Sequence, residues 1–142
     1  MAHDAQAHDE QADIRDFLAG THYAVVGASV DREKYGNKVL RAYLQKGHVC
    51  VPVHPREALI EGVACVRSVE ELPFVPHGLS IVTPPPITEK VVDAALAKGI
   101  RRLWMQPGAE HEGAIAKARA AGCTVLAHGP CLLVAIGYRE LC

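Results

Sequence analysis

Tyr23-Ala24-Val25-Val26-Gly27-Ala28-Ser29 is the stretch that decides the fold of this 142-residue chain. The apolar run from Ala24 to Val26 is typical of a parallel strand covered on both faces, and Gly27 allows a tight turn at its end. A charged loop follows, and a helix begins at about Asn37. Strand, glycine turn and helix in this order are the opening unit of a nucleotide-binding α/β domain.

This opening unit lacks two features of an ordinary NAD site. The turn keeps one glycine of the dinucleotide fingerprint, and the next strand ends in His54, where an NAD site has an acidic residue for the ribose. The pattern therefore predicts a nucleotide ligand but argues against an ordinary NAD site.

Strands and helices alternate along the whole chain with short connections. This alternation predicts an α/β fold, a Rossmann-like three-layer αβα sandwich with a central parallel sheet of about five strands. The predicted strands are Tyr23–Ala28, Val49–Val53, Gly78–Thr83, Arg102–Gln106 and Cys123–Ala127. The predicted helices are Asp9–Leu18, Asn37–Lys46, Pro86–Lys98 and Glu110–Ala121.

Local signals refine this outline. Asn37 is the predicted N-cap of its helix and Gly47 the residue that ends it. Pro52 predicts that its strand is short or lies near an edge. The S-x-x-E pattern of Ser68–Glu71 predicts a capping box and a short helix. Residues 57–67 are ambiguous, with a strand expected around 63–66, and residues 132–136 have no assigned type.

Length and composition indicate one domain over residues 11–142, preceded by a flexible tail at residues 1–10. The net charge of −1 argues against non-specific nucleic-acid binding. The five cysteines show no CxxC spacing and follow no secretory signal, and no apolar run is long enough to span a bilayer. We therefore expect a soluble, cytoplasmic protein that contacts neither nucleic acid nor membrane.

Ligands of open parallel sheets bind beyond the carboxyl ends of the strands. Every predicted strand here is followed by a loop that combines Gly or Pro with a polar residue. These loops are Gly27–Gly36, His54–Arg56, Thr83–Pro86, Gln106–Gly108 and His128–Cys131. The sequence thus predicts a binding site along one edge of the sheet.

The first of these loops has the chemistry of an anion site. Ser29 offers a hydroxyl, Gly36 permits close approach near a helix N-terminus, and Arg32 and Lys34 add positive charge. A phosphate or pyrophosphate is the expected ligand. The alternative is a plain turn with solvated charges.

The remaining loops add weaker signals. Arg56 suits a 2′- or 3′-phosphate on a ribose, or is a solvated arginine. The prolines after Thr83 form a rigid apolar wall, or simply begin a helix. His128 and Cys131 supply too few ligands for a metal, and no catalytic group stands out.

The residues together resemble the stand-alone bacterial and archaeal CoA-binding proteins, single Rossmann-like domains similar to the CoA-binding domain of the succinyl-CoA synthetase alpha subunit. The resemblance covers about residues 12–136. It is carried by Val25–Ser29 with Gly36-Asn37, Pro52–Pro55, Thr83–Pro85, Trp104–Gly108 and Cys131.

The resemblance implies that CoA lies across the carboxyl ends of the strands. It implies pyrophosphate at residues 28–30, adenosine phosphate near Arg56, nucleotide beside residues 83 and 84, and pantetheine along residues 106–108. The predicted binding residues are Gly27, Ala28, Ser29, Val30, Arg32, Lys34, Gly36, Asn37, His54, Pro55, Arg56, Thr83, Pro84, Pro85, Gln106, Pro107 and Gly108.

Two departures from the family pattern stand out. His54-Pro55 replaces the usual Asn-Pro, and His128–Cys131 replaces a usual Asp-Arg-Cys. The related ligases also need a nucleotide-grasp partner and a phosphorylated histidine in a second domain, so ligase activity of this chain alone is not expected.

The leading hypothesis is a domain that binds CoA or an acyl-CoA without catalysis of its own. One alternative is an NAD(P)-dependent oxidoreductase, which the fold allows. Another is a regulatory or interaction subunit that senses a nucleotide ligand. A homodimer or a protein partner remains open.

Overall fold

A parallel sheet organises the chain in the computed structural model, which describes residues 9–139. The strands are β1 (His22–Val26), β2 (Val49–Val53), β3 (Leu59–Ile60), β4 (Val63–Ala64), β5 (Gly78–Ile81), β6 (Arg102–Met105) and β7 (Thr124–Leu126). The helices are α1 (Glu10–Leu18), α2 (Tyr35–Gln45), α3 (Pro85–Lys98), α4 (Glu112–Ala120) and α5 (Leu132–Ile136), with one 3-10 turn at Val69–Glu71.

The strand order explains where a ligand site can form. Five strands pair in the order β2-β1-β5-β6-β7, and all four neighbouring pairs are parallel. From β1 the chain first moves outward to β2 and then crosses back to β5 on the other side of β1. The carboxyl ends of β1, β2 and β5 therefore flank the switch point, where open α/β sheets bind ligands.

Two hydrophobic clusters cover the two faces of the sheet, which confirms the three-layer sandwich. Ala24, Leu79 and Leu103 point to the face that packs on α3 and α4. Tyr23, Val25 and Trp104 point to the face that packs on α1, α2 and α5. Successive strand residues thus alternate between two buried faces, and this is why the strands read as continuous apolar runs.

The five predicted strands of the sheet are all present, and four of them end one or two residues earlier than predicted. The carboxyl-edge loops are correspondingly longer. Strand β2 lies at the sheet edge, as Pro52 predicted. Residues 57–67 contain the two-stranded hairpin β3–β4. After β4, Val66 forms a bridge with Val53. Residues 132–136 are helical.

Two predicted caps are wrong. Helix α2 begins at Tyr35 with Lys34 as N-cap, so Asn37 lies inside the helix, fully buried. Ser68 makes no side-chain capping bond, and Glu71 accepts a hydrogen bond from the Arg67 N–H instead of from Ser68. Both residues match a capping pattern in the sequence, but in the folded protein contacts with other residues replace the predicted capping bonds.

The N-terminal helix begins with a side-chain cap. The Asp9 carboxylate accepts hydrogen bonds from the N–H groups of Gln11 and Ala12, and the helix begins at Glu10, the last residue of the predicted tail. Residues 1–8 of that tail lie outside the described residues, and the division into tail and domain stays a prediction. Within residues 9–139, none of the helices has the length and apolar character needed to cross a membrane.

Candidate functional site

The turn after β1 brings the start of α2 against the sheet edge. Gly27 has a φ of +89°, and a Cβ there would lie 1.9 Å from the Val82 carbonyl oxygen. A Cβ on Gly36 would lie 1.9 Å from the Gly27 carbonyl oxygen. Both glycines are therefore needed for close packing, which holds the positive end of the α2 dipole at the carboxyl edge of β1.

Asn37 fixes the loop between β1 and α2. Its Nδ2 donates to the Ser29 carbonyl at 2.8 Å and to a Glu61 carboxylate oxygen at 3.0 Å, while its Oδ1 accepts from Arg41 Nε at 2.7 Å. The side chain is fully buried, and these bonds are all made within the protein. Asn37 therefore positions the loop, and the structure does not bring it to a ligand cavity.

The outer part of this loop is exposed. The Ser29 hydroxyl accepts a hydrogen bond from the Asp31 N–H, and Asp31 in turn accepts one from the Glu33 N–H. Val30 is 52% exposed, and Lys34 is also exposed. The loop is thus folded on itself beside the N-terminus of α2, an arrangement that favours anions.

Arg32 does not face the same space as the glycine turn. Its Nε lies 3.3 Å from a Glu61 carboxylate oxygen, at the turn of the β3–β4 hairpin. The two side chains line a separate depression of about 350 Å³ together with Arg41, Leu44 and Gln45. Glu61 therefore neutralises Arg32 in this structure.

A cavity of about 480 Å³ lies at the switch point. It is open to solvent between the carboxyl ends of β1, β2 and β5, the 3-10 turn and helix α3. Its walls are largely apolar, with charged side chains among the lining residues. The lining consists of Val26, Gly27, Ala28, Val53, His54, Pro55, Arg67, Ser68, Val69, Glu70, Thr83, Ile87, Lys90, Val91 and Ala94.

A smaller groove of about 300 Å³ continues along the same edge, between the ends of β5 and β6. Thr83 lines both spaces, so the two are adjacent. The smaller groove is lined by Val82, Thr83, Pro84, Pro107, Gly108 and Ala109. Its proline and glycine residues present few polar side chains, which suits an extended ligand.

His54 shapes the turn that closes the large cavity. Its Nδ1 accepts hydrogen bonds from the N–H groups of Arg56 and Glu57, at 3.0 and 2.9 Å. An asparagine side chain forms the same kind of local turn, so this histidine can replace one. Arg56 is exposed and does not line the cavity.

Gln106 is fully buried rather than presented on the edge. Its Oε1 accepts a hydrogen bond from the Leu132 N–H at 3.0 Å and so ties the end of β6 to the start of α5. Pro85 is exposed at the first position of α3, outside both grooves. Neither residue lines the two cavities, whose lining includes eight of the predicted site residues: Gly27, Ala28, His54, Pro55, Thr83, Pro84, Pro107 and Gly108.

The far end of the carboxyl edge contains Cys131. Its thiol contacts the Tyr35 hydroxyl, which joins the loop after β7 to the start of α2. Burial, and next the bond to Cys131, raise the pKa of Tyr35 far above its ordinary value. His128 pairs with Glu112 at 2.5 Å. No group of three His, Cys, Asp or Glu residues suited to a metal ion occurs within residues 9–139.

Arg67 and Lys90 are lining residues that the sequence interpretation missed. Arg67 follows the bridge between Val53 and Val66, in a segment whose pattern is irregular. Lys90 shares a helix face with Ile87, Val91 and Ala94. Their spacing of i, i+3, i+4 and i+7 is a signal that could have identified this cavity wall.

The fold is that of a Rossmann-like domain, with two adjacent cavities at the carboxyl edge of its sheet. The chain belongs to the CoA binding domain family, whose model matches residues 21–136. This match confirms the family predicted from the sequence.

Solved structures share this fold. A conserved hypothetical protein from Pyrococcus furiosus is 39% identical with a TM-score of 0.76, and the match covers 81% of this chain and 98% of that one. A hypothetical protein from Pyrococcus horikoshii OT3 is 30% identical with a TM-score of 0.83, over 91% and 89% of the two chains.

A third similar structure is a much larger enzyme. It is the dinucleotide-forming acetyl-coenzyme A synthetase 1 of Ca. Korarchaeum cryptofilum in complex with phosphate and ADP. The identity is 25%, the TM-score is 0.72, and the match covers 80% of this chain but only 27% of the synthetase.

Proposed function

We propose that this domain binds coenzyme A, free or as an acyl-CoA, along the carboxyl edge of its sheet and catalyses no reaction of its own. The observation that carries the proposal is the family match over residues 21–136, together with two adjacent grooves along that edge. CoA is a long ligand with a flat base at one end and a flexible arm at the other, and the two grooves offer matching spaces.

The adenosine part of CoA fits the larger cavity. Val53, Val69, Val91 and Ala94 supply apolar surface for the base. The volume of about 480 Å³ is within the range of small-ligand pockets. Pro55 and Thr83 lie on opposite sides of the opening, next to β2 and β5 respectively.

This placement of the adenosine also determines where the pyrophosphate and the pantetheine arm would lie. The pyrophosphate would meet the glycine turn and residues 28–30, where the N-terminus of α2 favours negative charge. Lys34 lies at that N-terminus and is available to an anion. The pantetheine arm would then run along Pro84, Pro107 and Gly108.

Isothermal titration calorimetry with CoA, acetyl-CoA and NADH tests the proposal. We expect CoA or acetyl-CoA to bind at micromolar to low millimolar concentration, and NADH to bind much more weakly. Saturable NADH binding that is tighter than CoA binding would favour the oxidoreductase alternative. No heat of binding with either CoA species at millimolar ligand would contradict the proposal.

A cavity-filling pair of variants tests the location. Ala94→Phe places a ring inside the larger cavity, whereas Ala97→Phe places the same ring on an exposed position of the same helix. We expect Ala94→Phe to weaken CoA binding at least about tenfold and Ala97→Phe to leave it unchanged. Equal affinities of two folded variants would place the ligand elsewhere.

The absence of catalysis, the cytoplasmic location and any homodimer stay predictions. Incubation with acetyl-CoA followed by assay of free thiol checks the first of these. We expect no thiol release above the protein-free rate.

A further inference from the structure

The rim of the larger cavity carries two cations that the binding model above leaves without a role. Arg67 and Lys90 both line the cavity and are otherwise exposed. Neither side chain has a hydrogen-bond or ion-pair partner within residues 9–139. By contrast, Arg32 is paired with Glu61. Two unpaired cations at the mouth of an apolar cavity are suited to an anionic group on a ligand whose body lies inside.

Different elements hold the two cations in place. Val66 forms a parallel bridge with Val53, and the Val66 N–H donates to the Pro52 carbonyl, so Arg67 leaves the sheet directly beside the end of β2. Lys90 lies on the cavity face of α3, one turn after Ile87. The cations therefore approach the same opening from the sheet and from a helix.

The net charge of the rim indicates which kind of phosphate group it would bind. Glu70 also lines the cavity, so Arg67, Lys90 and Glu70 together carry a net charge of about +1. A phosphate monoester carries about −1.5 to −2 at pH 7, whereas a phosphodiester carries a single charge. The rim thus favours a terminal phosphate, and the adenosine end of CoA has one on its ribose 3′-oxygen.

We propose that Arg67 and Lys90 bind the ribose 3′-phosphate and make the domain select CoA over dephospho-CoA. This assignment rests on the proposed function and deepens it. It replaces the expectation that Arg56 fills this role, because the Arg56 side chain does not line the cavity.

Titration of CoA and dephospho-CoA into four variants tests the assignment. Arg67→Gln and Lys90→Gln remove one cation each. Arg56→Gln removes the cation first expected to serve this role. Lys46→Gln is the matched control, because it removes an exposed cation at the C-terminal end of α2. The thermal midpoint of each variant shows that it is folded.

We expect the wild-type domain to bind CoA more tightly than dephospho-CoA. Arg67→Gln and Lys90→Gln should each weaken CoA binding about threefold to tenfold and leave dephospho-CoA binding within about twofold. Arg56→Gln and Lys46→Gln should preserve the preference.

Three results would overturn the assignment while leaving CoA binding intact. The wild-type domain could bind both ligands equally, the two rim variants could weaken both ligands by the same factor, or Arg56→Gln alone could abolish the preference. Failure of the wild-type domain to bind either ligand is a different result, since it refutes the proposed function itself.

Discussion

Gly36 shows how a single residue sets the geometry of the site. A side chain at this position would collide with the Gly27 carbonyl, so the start of α2 can approach the β1 turn only because residue 36 is glycine. The anion-favouring helix end and the sheet edge are adjacent for that reason. Substitution here should therefore affect both stability and ligand binding.

We predict that Gly36→Ala lowers the free energy of unfolding by more than about 2 kcal/mol, because the backbone must shift to relieve the contact. Gly113 is the matched control, since it is the second residue of α4 just as Gly36 is the second residue of α2. A Cβ on Gly113 would meet only the His111 side chain, at 3.1 Å. Gly113→Ala should be within about 1 kcal/mol of wild type.

Urea denaturation of both variants checks this prediction. Equal stabilities of the two variants would show that the β1 turn moves aside without cost, which contradicts the close packing.

His54 illustrates how one side chain replaces another in the same local role. Its ring nitrogen accepts from two backbone N–H groups and so stabilises the turn after β2. We predict that His54→Asn retains most of the stability, because an asparagine oxygen can accept the same bonds. His54→Ala should cost about 1 kcal/mol. Urea denaturation at neutral pH gives both values, and a loss for Asn as large as for Ala would refute this reading.

At the scale of elements, α2 is held to the sheet by a buried hydroxyl pair as well as by apolar contacts. The Tyr43 hydroxyl lies 2.6 Å from the Ser80 hydroxyl in the middle of β5, and both residues are fully buried. Burial is also the main reason that the pKa of Tyr43 is raised well above its ordinary value. The tyrosine therefore stays protonated and keeps its hydroxyl proton for this pair.

A double-mutant cycle measures this contact. We predict that Tyr43→Phe and Ser80→Ala each lower the free energy of unfolding by about 1 to 3 kcal/mol, since each leaves one buried hydroxyl without a partner. The double variant should lose clearly less than the sum of the two single losses. Additive losses, measured by urea denaturation, would show that the two hydroxyls do not stabilise each other.

The strands and helices also show which parts of the fold could be predicted from the sequence and which could not. The five strands could be predicted because continuous apolar runs end at glycine or proline, which reflects burial on both faces. The start of α2 could not, because Asn37 resembles a cap but uses its side chain to hold Ser29 and Glu61. That role depends on a hairpin distant in sequence.

The lining of the candidate site could likewise be predicted only in part. Gly27, His54 and Thr83 follow strands directly, so the topology alone brings them together. Arg67 and Lys90 reach the cavity only through the β2 bridge and the packing of α3, which depend on tertiary contacts. Gln106 follows a strand as well, but its side-chain oxygen accepts a hydrogen bond inside the core.

In the molecule as a whole, the two edges of the sheet are built differently. The carboxyl edge has the grooves, the glycine turn and the start of α2, while the opposite edge contains the ends of the helices and the tight turns that lead into the strands. We propose that CoA occupies the first of these edges.

Hydrogen–deuterium exchange with and without saturating CoA shows which edge of the sheet the ligand covers. We predict slower exchange in the backbone segments of the carboxyl edge, at residues 27–36, 54–57, 66–70 and 106–109. At residues 19–21, 46–48 and 99–101 of the opposite edge we predict no change. Unchanged exchange along the carboxyl edge, or protection confined to the opposite edge, would contradict this placement of CoA.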